Sequence, residues 1–194
     1  MARGLLRRIQ SRLVRFYDLD EAPDVVDFVR PIDDGGRETL LVREEPDAVE
    51  VALLLPRRLL EEDDAREDPD ALLQAFEGVS HFVYLAERVR MGLPTTLLEL
   101  ELQAEVDKFV LLAIDGLPLG AHDRRRLRAR LFEHVRFLHD ESTEDGERYR
   151  LANALAARFV HRLDTRGEPS ELKAALRRFY RAGQTDKIRM ARAA

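Results

Sequence analysis

Glu77 and His81 stand four residues apart in an otherwise apolar helical run, and a second such run carries Glu101, Glu105 and Lys108. Residues four apart on a helix share a face, so Glu77 can meet His81 and Glu101 can meet Glu105. Two carboxylates that close repel each other. Once desolvated, one of them keeps its proton unless a cation such as Lys108 lies beside it. Three carboxylates and an imidazole are a ligand set for a hard or borderline divalent metal. The same groups can also act as an acid–base pair. Glu77, His81, Glu101 and Glu105 are therefore the candidate metal ligands and, with Lys108, the candidate catalytic residues. The favoured expectation is plainer: a buried ion-pair network that fixes helix register, since structural pairs perturb titration too. No cofactor is expected, because the chain shows no glycine-rich phosphate loop, no Ser/His/Asp order and no zinc spacing.

Two long helices must position these groups. The first runs from about residue 70, with Leu72, Phe76, Val79, Val83 and Ala86 on one face. Glu77, Ser80, His81, Tyr84 and Arg88 form a polar stripe beside them. Met91-Gly92-Leu93-Pro94 ends that helix, and the second follows to about residue 115. Leu98, Leu102, Val106 and Phe109 share one side of it, whereas Leu100, Ala104 and Leu111 share a nearly opposite one. A helix apolar on two sides is an interior strut. If the two run antiparallel as neighbours, Glu77 and His81 face Glu101 and Glu105.

Around this pair the pattern predicts an α+β fold. Residues 1–17 read as a basic amphipathic helix. Residues 18–56 read as a small antiparallel β-meander of two or three strands (25–30, 38–44 and 48–55), with Glu45-Pro46-Asp47 as a hairpin loop. Residues 69–183 read as the rest of a bundle of about five or six helices in all, with later helices over 124–139, 147–163 and 171–182. Asp123 is the expected N-cap of the first of these. Residues 184–194 read as a short basic tail. The whole is expected to be one integrated domain.

Charge is divided unevenly over the 194 residues, whose net formal charge is −5. Residues 1–17 carry five arginines and no acid, residues 18–70 carry 19 acids against six arginines, and residues 116–194 are basic again. Opposite charges at the two ends either meet within the chain or steer a charged partner. Arg7, Arg8, Arg12, Arg124, Arg125 and Arg126 are the candidate partner- or anion-binding groups. A basic amphipathic helix over 3–17 could also touch an anionic membrane, although covering its own core is the preferred role. The run 124–130 could grip phosphates, but the acidic balance of the chain disfavours nucleic acid.

The sequence contains no cysteine. That excludes disulfides, thiolate nucleophiles and Cys-ligated metal, and suits a cytoplasmic protein. No run approaches the roughly 18 apolar residues of a membrane span, and no leader peptide is evident. Only three of the 32 basic residues are lysine, a bias of the kind GC-rich bacterial genomes impose. The functional expectation is a soluble, non-catalytic interaction or regulatory domain that binds another protein or a second copy of itself through charged surfaces. The alternative is an enzyme or a metal- or small-ligand-binding domain at the carboxylate–histidine group, and the third is phosphate or nucleic-acid binding at 124–130.

Overall fold

The computed structural model describes residues 2–20, 22–33, 35–45, 48–61, 69–114, 119–166 and 169–193. The chain is α+β, with a three-stranded mixed sheet near its N-terminus and a mostly helical remainder. By its internal contacts it forms two compact units: Met1–Arg15 with Leu19–Pro94, and Phe16–Asp18 with Thr95–Ala194.

The first unit begins with α1 (Ala2–Tyr17), as the 1–17 periodicity predicts. Leu6, Ile9 and Leu13 are buried, and Arg7 and Arg8 are exposed. Arg7 Nε lies 2.7 Å from Asp24 Oδ2, so part of the basic helix does answer the acidic segment that follows it. The hydrogen bond from Arg7, helped by the Val26 N–H, holds the Asp24 carboxyl below its usual range. Gln10 completes this corner by accepting from the Val25 N–H and donating to the Pro23 carbonyl.

That corner corrects one strand. The pattern over 25–30 predicts extended chain, but Val25–Phe28 is a single helical turn, α2, and only Val29–Ile32 forms β1. Asp24 is the reason: its side chain caps the Val26 N–H, which stabilises a helical turn over extended chain. β2 (Thr39–Glu45) and β3 (Ala48–Pro56) then form the expected antiparallel hairpin, with Leu40 opposite Leu53 and Val42 opposite Val51. The strand order is β1-β3-β2, and β1 runs parallel to β3. The sheet is therefore mixed, not the purely antiparallel meander the sequence suggests. The hairpin is laid so that its second arm, not its first, lies beside β1. A short turn, α3 (Arg57–Glu61), leads on to α4 (Pro69–Arg90). Residues 62–68, within the acid-rich 18–70 segment, lie outside the described residues.

Leu53 and Leu55 are fully buried. Gly78 sets how close α4 comes to them, since a Cβ there would meet Leu53 Cδ1 at 3.0 Å and Glu38 Cβ at 3.6 Å. At its far end α4 closes in a Schellman motif. Leu93 N–H bonds the Arg88 carbonyl, Gly92 N–H bonds the Val89 carbonyl, and Gly92 has φ +62°. Arg88 locks the turn by donating twice to the Pro94 carbonyl, at 3.1 and 2.7 Å.

The second unit is built on α5 (Leu97–Phe109), which continues as a π-helical turn over Val110–Ile114. Thr96 and Glu99 form a capping box at its start. Leu100, Leu102, Ala104, Val106, Phe109 and Leu111 are all buried, as a two-sided strut requires. Next come α6 (Ala121–Arg128), with a π-helical turn Ala129–Glu133, then α7 (Glu144–Arg166), α8 (Pro169–Arg181) and α9 (Gln184–Arg192). The Phe159 and Phe179 rings stack at 4.1 Å inside this set.

Three expectations fail here. Helix α6 opens three residues early: Gly120 stands at the cap position without a side-chain bond, and Asp123 lies in the first turn. The helix expected over 124–139 ends at Glu133, and both His134 and Leu138 beyond it are exposed, Leu138 at 61%. Asn153 of α7 bonds the Leu131 carbonyl, which a longer helix would offer to the Val135 N–H, and Arg150 bonds the His139 carbonyl in the loop that follows. The loop that results presses on α7, where a Cβ on Gly146 would sit 1.8 Å from the Asp140 carbonyl oxygen. The basic tail, finally, is the helix α9, with Lys187 and Ala191 buried.

Candidate functional site

The five residues proposed for chemistry are divided between the units. Glu77 and His81 lie on α4 in the first, whereas Glu101, Glu105 and Lys108 lie on α5 in the second.

On α4 the polar stripe is buried along its length, from Glu77 through Ser80, His81 and Tyr84 to Arg88. A ligand atom of Glu77 lies within 4.8 Å of one on His81, as the four-residue spacing requires. The structure adds a member to their surroundings. Glu38, just before β2, has a side chain only 7% exposed. Its carboxyl is pushed up to about 8, first by burial and then by the neighbouring charge of Glu77, against the lowering pull of Arg37 and His81. At neutral pH this carboxyl therefore holds its proton for most of the time. Arg37 stands off at 3.8 Å, and Glu38 Oε2 receives no hydrogen bond. In the sequence Glu38 is merely the first residue of an expected strand. The signal that marks it is the pairing frame: even-numbered residues of β2 fall on the same face as Leu53.

On α5, Lys108 Nζ lies 3.0 Å from Glu105 Oε1, so the expected intrahelical pair forms. Glu101 is buried on the same helix. A second set of polar groups on α5 is new. Tyr17 donates its phenol proton to Asp107 Oδ1 at 2.5 Å, and Gln103 Nε2 donates to the same oxygen at 2.8 Å. Lys187 of α9 donates to Gln103 Oε1 and stands 4.4 Å from the Phe179 ring centre. Lys187 is 0% exposed. Burial first, and the Asp107 charge second, raise the Tyr17 phenol well above its usual range. Tyr17 also stacks on Tyr180 at 4.1 Å. The helical spacing of Gln103 and Asp107 is visible in the sequence, but the partners of Gln103 come from 86 and 84 positions away.

The basic candidates have separate fates. Arg7 pairs with Asp24, Arg8 is exposed and Arg12 is half-buried. Arg124 and Arg128 converge on one nearly buried acid, Asp164, with Arg124 Nε at 2.8 Å. The 124–130 run is thus partly neutralised from within, as its like-charged helix start requires. Arg125 and Arg126 remain on the surface.

A large cleft lies elsewhere, among α7, α8 and α9. It encloses about 900 Å³ and is lined by Arg162, Arg177, Arg178, Arg181 and Arg189, with Asp186 the one acid among its described lining residues. Its floor is apolar, formed in part by Phe159, Leu163, Ala175 and Met190. Arg189 pairs with Asp186 at 2.9 Å. Arg177 is tied to the Phe16 carbonyl, and Arg162 to that of Met190. Arg178 and Arg181 are exposed and make no ion pair among the described residues. A smaller cleft of about 400 Å³ shares Arg162 and adds Arg158, His161 and Arg192. Both clefts escape a reading that takes α9 as a tail, since the arginines of α8 then lack a facing wall.

Among the described residues, no helix is long and apolar enough to cross a membrane. Comparison with known proteins finds no matching family model, no similar curated protein and no similar solved structure.

Proposed function

We propose that the protein is a non-catalytic interaction domain of the cytoplasm, whose second unit holds an acidic segment of another protein among α7, α8 and α9. The observation that carries this reading is the arginine-rimmed cleft of about 900 Å³, whose described lining holds five arginines and one acid, itself already paired. An apolar floor inside a polar rim is the anatomy of a protein-binding patch, and arginine is enriched among residues that carry binding energy. Bound acids would meet Arg178 and Arg181 without displacing an ion-pair partner among the described residues. On this reading Glu101, Glu105, Lys108, Glu77 and His81 serve the interior of their own units, and no reaction is assigned to them.

A fluorescein-labelled peptide rich in glutamate and leucine tests it, with anisotropy read across a salt series. Binding should weaken as salt rises, because exposed charges are screened. Arg178→Glu with Arg181→Glu should weaken binding by roughly tenfold or more, the effect of removing one well-placed charge pair. Equal binding by the double variant, or equal binding of a lysine-for-glutamate peptide, would overturn the reading.

A further inference from the structure

The first unit carries a second surface, at the edge of its sheet. The order β1-β3-β2 leaves β1 at one edge and β2 at the other. Natural sheets protect their edges with short strands, proline, inward charge or bulges. β1 has such protection, being four residues long with Pro31 inside it. β2 has none of these at its centre. It is seven residues long, contains no proline, and pairs with β3 without a bulge from Thr39 opposite Leu54 to Glu45 opposite Ala48. Its middle exposes two large apolar side chains, Leu41 at 50% and Val42 at 42%, on opposite faces of the strand.

The face bearing Val42 continues into an apolar hollow of about 240 Å³, lined by Phe28, Val49, Val51, Phe82, Leu85 and Val89 among others. Val42 stands opposite Val51 at its border. Such an edge is a template for an added strand, whose backbone groups would bond the open side of β2 while alternate side chains extend the apolar floor.

The sequence of β2 indicates what that strand is. Placed antiparallel to itself about a two-fold axis at Leu41, it sets Leu40 against Val42 twice, Leu41 against its own copy, and Thr39 against Arg43 twice. Glu38 and Glu44 then fall at one level of the register. At the ends Arg37 meets Glu45 twice, and both are partly exposed, at 40% and 49%. Apolar thus meets apolar at the centre, and opposite charges meet at both ends, as favourable cross-strand pairs require. We propose that a second copy of this chain adds its β2 antiparallel to β2 about Leu41, joining two three-stranded sheets into one of six strands. The interface is isologous and closes on itself, so it yields a dimer and not a filament.

A sequence without cysteine allows a clean test. Directly opposed residues of an antiparallel pair have Cα atoms about 4.5–5.5 Å apart, within disulfide reach. Leu41→Cys should therefore give a covalent dimer under mild oxidation, whereas Ser11→Cys on α1 should not. Unmodified protein should sediment at twice the chain mass at micromolar concentration. Val42→Asp, with an unchanged circular dichroism spectrum, should weaken the dimer by roughly tenfold or more. A single-chain mass at every concentration together with no covalent dimer from Leu41→Cys overturns the proposal. So does a dimer that Val42→Asp leaves intact, since it would use another surface, or recovery of a different protein along β2.

Discussion

Replacing Glu38 by glutamine removes one buried proton equilibrium and leaves the shape of the side chain almost unchanged. In the folded chain the Glu38 carboxyl titrates near 8, against a usual value of 4.5. Below pH 4.5 it is protonated whether the chain is folded or not, and it contributes no pH dependence. Between the two values the unfolded chain loses the proton while the folded chain keeps it, so stability falls as pH rises. Above 8 both states are ionised and the full cost of the buried charge is present. Each pH unit between those values corresponds to about 1.4 kcal/mol, so the span from 4.5 to about 8 sets a ceiling of about 5 kcal/mol on the loss. Urea unfolding followed by circular dichroism at successive pH values from 5 to 9 measures it. Wild type and Glu38→Gln should be close at pH 5, and the variant should gain steadily toward pH 8 before the difference levels. A difference that is constant over that range would refute the reasoning, because it would mean that Glu38 ionises normally in the folded chain.

Two further outcomes follow from buried groups. Lys187→Ala should destabilise the chain by about 2–4 kcal/mol in urea, since it removes a buried donor from Gln103 along with the packing against Phe179. Gly146→Ala should cost more than about 2 kcal/mol, because its Cβ would strike the Asp140 carbonyl, whereas Gly35→Ala, with nothing within 4 Å, should be near neutral. Thermal denaturation of the two glycine variants side by side checks the contrast.

What can be read from the sequence is whatever periodicity encodes. The apolar faces of α1, α4, α5, α7 and α8 follow from local spacing, and so does the β2–β3 hairpin. The two-sided burial of α5 is visible in Leu100 and Leu102 alike. What stays hidden depends on partners distant in the chain. The Asp24 cap turns an apparent strand into a helical turn, and Asn153 takes the Leu131 carbonyl, which a longer helix after α6 would have used. Lys187 looks like one more cation in a basic tail, because its acceptor, Gln103, lies 84 residues earlier. Glu77 and His81 are legible as a pair, but Glu38 is not. It is buried beside Gly78 of α4, a neighbour from 40 positions further along the chain.

The three residues Phe16–Asp18 belong with the second unit although the chain on both sides of them belongs with the first. Tyr17 reaches Asp107 across 90 positions, so the second unit is discontinuous in sequence. A cut after Pro94 would therefore not yield two self-sufficient pieces. The C-terminal piece would expose a socket for a missing phenol, with Asp107 and Gln103 at its base and Tyr180 as its wall. In folding terms that socket is a non-local contact, which forms only when the loop between Tyr17 and Asp107 closes. In engineering terms it is a natural split point, where a short helix supplied in trans could restore a unit that its own hundred residues leave three residues short.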